Sequence, residues 1–95
     1  MISKESFGTT EVMFETPSCM IRRVVVFPLS RNIFEVINKM ETIKITGGSG
    51  IFYTEKYPQE REVKIDDTIT ITKDDKYTLI NESKKINLSF ISTEQ

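Results

Sequence analysis

The stretch IDDTITITKDDKYTLIN, Ile65 to Asn81, decides the fold. Two aspartates open it, Thr and Ile alternate through Thr72, a charged turn covers Lys73 to Lys76, and a second apolar run closes on Asn81. Alternation with a period of two marks a strand with one buried face, and Asp-rich breaks are turn chemistry. The stretch therefore reads as two short strands. Asp66, Asp67, Asp74 and Asp75 read as turn residues and not as calcium ligands, since neither turn has a glycine-centred loop closed by a bidentate Glu.

Working outward, TTEVMFET alternates weakly up to Pro17, and CMIRRVVVF is the strongest β run, stopped by Pro28. SRNIFEVINKMETIKI is mixed. Ile33, Val36 or Ile37, and Met40 recur at helical spacing behind a possible N-cap at Ser30 or Asn32, which predicts an irregular or short helical piece, followed by a strand from about Glu41 to Thr46. Gly47 to Gly50 lies between two apolar runs and reads as a hairpin turn; a phosphate-cradling loop would have to open a helix, and a strand pattern follows instead. KYPQER is a loop around Pro58, EVKI and INLSFIS add further strands, and the tail TEQ is expected to fray. Some eight or more short strands with at most one short helical turn define an all-β sandwich or small barrel, read as one domain over residues 1–95.

Composition narrows the function classes. Thirteen basic against fourteen acidic side chains leave no charge excess of the kind that binds nucleic acid or an anionic membrane surface. No segment is long and apolar enough to span a bilayer, and the N-terminus lacks a signal-peptide pattern, so a cytoplasmic location is expected. The lone Cys19 suits a reducing compartment and reads as a small buried hydrophobe. A chain of this size with open sheet edges is expected to pair with a copy of itself as a homodimer.

The Ile65–Asn81 stretch resembles the second motif of the cupins, the double-stranded β-helix or jelly-roll barrel family. That motif runs Gly-Asp, four residues, Pro, one residue, Gly, two residues, His, three residues, Asn; Asp66, Asp67, Thr72, Asp74, Tyr77 and Asn81 occupy its positions, and Asp67 and Asn81 match. The first motif's Glu and Gly fit Glu41 and Gly48. Its two histidines would fall on Glu35 and Ile37, or on Phe34 and Val36. The lead-in RRVVVFP is similar to the family's strand before that motif, with Leu29 where a Gly is usual. The resemblance covers about residues 8 to 92 and is greatest to small stand-alone cupins and to the C-terminal cupins of mannose-6-phosphate isomerase/mannose-1-phosphate guanylyltransferase proteins.

What the resemblance implies about chemistry turns on the missing imidazoles. A cupin metal site uses about three histidines and one carboxylate, and this chain has no histidine. Glu41 alone remains, and a Tyr77 phenolate would form only near pH 10, so neither metal nor other cofactor is expected. If the ligand positions point inward, Glu41, Ile43 and Ile45 share the interior with Tyr77, Leu79 and Asn81. Arg22 and Arg23 have opposite parity, so one of them points inward or toward a rim, where it either pairs with Glu41 or anchors a ligand's phosphate or carboxylate. Tyr77 either contacts a ligand or donates its hydroxyl to Glu41. Phe52 and Tyr53 place one aromatic on each face.

The reading is thus a metal-free, non-catalytic cupin that binds a small polar or anionic molecule, such as a sugar, sugar phosphate or nucleotide, in or at the mouth of the barrel. Its candidate ligand-binding residues are Arg22, Arg23, Glu41, Tyr53, Tyr77 and Asn81. Two alternatives stand beside it. One is a metal-independent sugar-nucleotide isomerase or epimerase using Glu41 or Glu35 as base; the other is an interaction protein with a filled barrel and a partner surface in SRNIFEVINKM.

Overall fold

A computed structural model describes residues 2–36 and 40–95. The described residues form ten strands: β1 (Ile2–Lys4), β2 (Gly8–Thr16), β3 (Cys19–Val26), β4 (Arg31–Glu35), β5 (Met40–Gly47), β6 (Ser49–Thr54), β7 (Arg61–Lys64), β8 (Thr68–Thr72), β9 (Lys76–Ile80) and β10 (Leu88–Glu94). They build two antiparallel sheets, ordered β1-β2-β3-β10-β5-β8 and β4-β9-β6-β7. Among the described residues no helix is long and apolar enough to cross a membrane.

Period-two alternation sorts the side chains. Val24 and Val26 of β3, Ile43 and Ile45 of β5, and Leu88 and Phe90 of β10 are fully buried between the sheets. Phe34 holds the centre: its ring stacks on Tyr77 at 5.0 Å and meets Phe7 and Phe90 edge-on at 5.5 and 5.6 Å.

The helical expectation after Ser30 is overturned, because Arg31–Glu35 is strand β4, paired with β9 from Arg31↔Ile80 to Glu35↔Lys76. A helix would have put Ile33 and Val36 on one face. The strand separates them, with Ile33 62 % exposed and Val36 2 %. Ile37, the other residue considered for that face and for a first-motif position, lies outside the described residues.

The Gly47–Gly50 hairpin is also corrected. β5 and β6 lie in different sheets, so the glycines turn a corner between layers. Gly48 has φ +73°, and a Cβ there would sit 2.3 Å from the Asn87 carbonyl oxygen; one at Gly50 would sit 2.5 Å from that of Ile80. The corner passes so close to the neighbouring backbone that only a bare Cα fits. Nor does the tail fray: β10 runs to Glu94, and Met40 and Gln95 exchange main-chain hydrogen bonds of 3.3 and 3.1 Å. Cys19, expected to be buried, is half-buried beside the β2–β3 turn.

Leu29, Asp66 and Asp74 are the non-glycine residues with positive φ among the described residues, at 59°, 76° and 69°. They stand where the resemblance places glycines that this chain lacks. The backbone keeps the left-handed corners, and Asp tolerates them better than Leu does.

Candidate functional site

Four strands converge on one buried carboxylate. β5 turns Glu41 inward until it is fully buried, β9 does the same with Tyr77, β10 supplies Ser92 and Glu94, and β3 supplies Arg22. Tyr77 Oη donates a hydrogen bond to Glu41 Oε2, and Ser92 Oγ donates a second to the same oxygen at 2.6 Å. Arg22 Nη2 lies 3.5 Å from Glu41 Oε2 and 3.6 Å from Glu94 Oε1, bridging two carboxylates that are cross-strand neighbours. Glu41 Oε1 and Arg22 Nε have no hydrogen-bond partner among the described residues.

Burial, reinforced by the Glu41 charge and its hydrogen bond, pushes the Tyr77 phenol well above its ordinary value, so it stays a protonated donor. Burial likewise raises the Glu94 carboxyl; Arg22 opposes this and the Glu41 charge adds to it.

This arrangement does not suit a metal ion. The donors are one carboxylate whose Oε2 already accepts two hydrogen bonds and a phenol that resists ionisation, and a guanidinium beside them repels a second cation. Among the described residues no cluster of three or more His, Cys, Asp or Glu is placed to hold an ion. Glu35, the other candidate base, is exposed on β4.

The six candidate residues do not form one cluster. Arg22, Glu41 and Tyr77 meet in the interior. Arg23 points the opposite way, as its parity requires, and donates to Glu11 Oε1 at 3.0 Å on the outer face. Asn81 is buried, where Nδ2 donates to the Val26 and Ile86 carbonyls at 2.9 and 2.8 Å and Oδ1 accepts from Ser83 N at 3.0 Å, fastening the β9–β10 loop. Tyr53 is half-buried and, with Phe52, borders a cleft.

That cleft, about 640 Å³, opens between β8 and the β6–β7 loop. Phe52 and Ile71 line its inner side, Tyr57 adds an exposed ring, Lys56 and Arg61 bring cations and Glu60 and Asp75 carboxylates, while Tyr53 borders it from a strand position in register with Thr78 and the exposed Ile33. Phe52 leans on Tyr77 at 5.9 Å and Ile71 pairs across strands with Glu41, so the buried network lies directly behind this inner side. The Arg61 guanidinium stands 5.6 Å from the Phe52 ring centre. Asp75 Oδ1 accepts from Lys56 N and Lys76 N at 3.3 and 2.8 Å, tying the rim loop to the β8–β9 turn.

Sequence reasoning missed Ser92, Glu94, Lys56, Tyr57 and Arg61. The alternation Leu88, Phe90, Ser92, Glu94 was a signal for Ser92, which lay in the expected strand INLSFIS, and for Glu94, which was masked by the expectation of a frayed end. The cleft residues lie on a loop and a strand start that carry no periodic pattern.

No family model and no curated protein matches this sequence. Solved structures do match. A cupin 2 conserved barrel domain protein from Salinispora arenicola is similar over 100 % of this chain and 82 % of its own, at 9 % identity and a TM-score of 0.80. The cupin domain of Schizosaccharomyces pombe Cnp3 is similar at 12 % identity and 0.80, over 98 % and 68 % of the two chains. Fe(II)-HppE with an alternative substrate reaches 0.85 at 11 % identity, over all of this chain and 55 % of that one. The chain has the cupin fold, a double-stranded β-helix closed by two antiparallel sheets.

Proposed function

We propose that this protein is a cytoplasmic, metal-free and non-catalytic cupin that binds a small polar or anionic molecule, such as a sugar phosphate or nucleotide, in the cleft at the mouth of the barrel. The observation that carries the reading is the pairing of a closed interior with an open mouth. Tyr77 commits its hydroxyl to Glu41 Oε2, whereas the cleft presents Arg61 and Lys56, with Glu60 and Asp75 nearby, beside Phe52 and Tyr57. Its volume suits a metabolite-sized ligand, with cations for an anionic group and aromatic faces for a ring. Of the candidate residues, Tyr53 borders the cleft, and Arg22, Glu41 and Tyr77 would support its inner side. An acid–base isomerase would need the carboxylate and the phenol on opposite sides of a substrate, and here they are bonded to each other.

Thermal-shift screening against nucleotides and sugar phosphates tests the reading. A ligand at 100 times its Kd adds about 2.7 kcal/mol, a shift of more than roughly 10 °C for a domain this small. The shift should be lost in Arg61→Gln and kept in Arg23→Gln. A broad panel without any shift rejects the proposal.

A further inference from the structure

Beyond ligand binding, the outer edge of β4 carries a self-complementary pattern. The β4–β9 ladder fixes which way its main chain points. Asn81 N donates to Ser30 O at one end and Val36 N donates to Asp75 O at the other, so in this register the even-numbered residues 30 to 36 turn their amide and carbonyl toward β9. Arg31, Ile33 and Glu35 therefore turn theirs outward, away from the sheet. Their side chains are also the exposed set of this strand, with Ile33 62 % exposed between a cation and an anion. Among the described residues neither Arg31 nor Glu35 has an ion-pair partner.

A two-fold axis through Ile33 maps this edge onto itself. It sets Ile33 against Ile33 of a second copy, and Arg31 against the second copy's Glu35 twice over. The three outward-facing residues then meet as hydrogen-bonded antiparallel pairs, making about six main-chain bonds. Other edges are less suited: β1 has three residues, β2 is bulged between Val12 and Phe14, and on the four-residue edge strand β7 the main-chain N of Lys64 already donates to Asp67 Oδ2.

We infer that two copies of this chain associate through β4, antiparallel and centred on Ile33, joining the two four-stranded sheets into one continuous eight-stranded sheet. Charge decides the register, since sliding one strand by two residues breaks both Arg31–Glu35 pairs.

Sedimentation velocity on the full chain, with single and double charge reversals, tests this. The parent should be a dimer. Arg31→Glu and Glu35→Arg should each weaken dimerisation at least about tenfold, because each sets like charges opposite one another. The double reversal should restore the dimer, and mixing the two single variants should give a heterodimer, since every cross-strand pair is then of opposite sign. Both positions are exposed, and circular dichroism should show the monomeric variants folded. A parent that stays monomeric at high concentration overturns the inference, as does a dimer that neither single reversal weakens.

Discussion

Replacing Tyr77 with Phe probes the buried network most directly. The ring survives the change, so its stacking on Phe34 at 5.0 Å and its contact with Phe52 are retained. What is lost is one hydrogen bond to a fully buried carboxylate. A hydrogen bond to a charged group contributes about 1.5–3 kcal/mol, and the remaining Ser92 bond and Arg22 contact cannot supply a replacement donor. With about 4–8 °C of Tm per kcal/mol for a chain of this size, a loss of about 2 kcal/mol lowers Tm by roughly 8–16 °C. Urea denaturation at neutral pH gives the free energy independently. Adding Glu41→Met to Tyr77→Phe removes the acceptor together with the donor and leaves Arg22 its contact with Glu94. The double variant should therefore be less destabilised than the two single changes summed, by at least about 1 kcal/mol. A Tyr77→Phe protein melting within about 2 °C of the parent would refute the reasoning, because the phenol would then not be sustaining the buried charge. If it also lost the ligand-induced shift, the hydroxyl would belong to the binding site instead.

Leu29→Gly should raise stability by about 0.5 kcal/mol, visible as a Tm roughly 3 °C higher, because Leu at φ 59° is strained and its exposed side chain gives up little packing; an unchanged or lower Tm counts against a strained corner. Glu94→Gln should alter the pH profile. The raised folded value of Glu94 means that its contribution is complete below the unfolded carboxyl's value of about 4.3 and is lost as pH rises through the folded value. The stability difference between parent and variant should thus move with pH above that point, favouring the variant as pH rises, and a flat difference contradicts this. Asn81→Asp sets a carboxylate oxygen against the Val26 and Ile86 carbonyls, which should cost about 3 kcal/mol or more and expose residues 81–87 to proteolysis; a protease-resistant variant of parental stability would show that the amide does not fasten this loop.

Much of the interior was legible because side-chain alternation is a local property of extended backbone. Parity grouped Glu41 with Ile43 and Ile45, grouped Tyr77 with Leu79 and Asn81, and set Arg22 and Arg23 on opposite faces, while the cupin resemblance turned the first two groups toward one interior. The motif spacing located Leu29, Asp66 and Asp74 at corners the fold still requires, although the glycines are gone. Alternation was misread where a strand happened to carry apolar residues three apart, as Ile33 and Val36 do. It was abandoned too early at the tail, where Glu94 proved to be a network member.

The sequence by itself determined the all-β class, the grouping of faces within each strand and the absence of an imidazole donor, since each follows from residue type and from the two-residue repeat of a strand. Tertiary structure alone decided that Gly47–Gly50 joins two sheets, that Arg22 spans Glu41 and Glu94, and that Lys56 and Arg61 share a cleft with Phe52. Those pairings unite side chains far apart along the chain, and the distance between such residues is set by how the sheets close on each other, which no local pattern encodes.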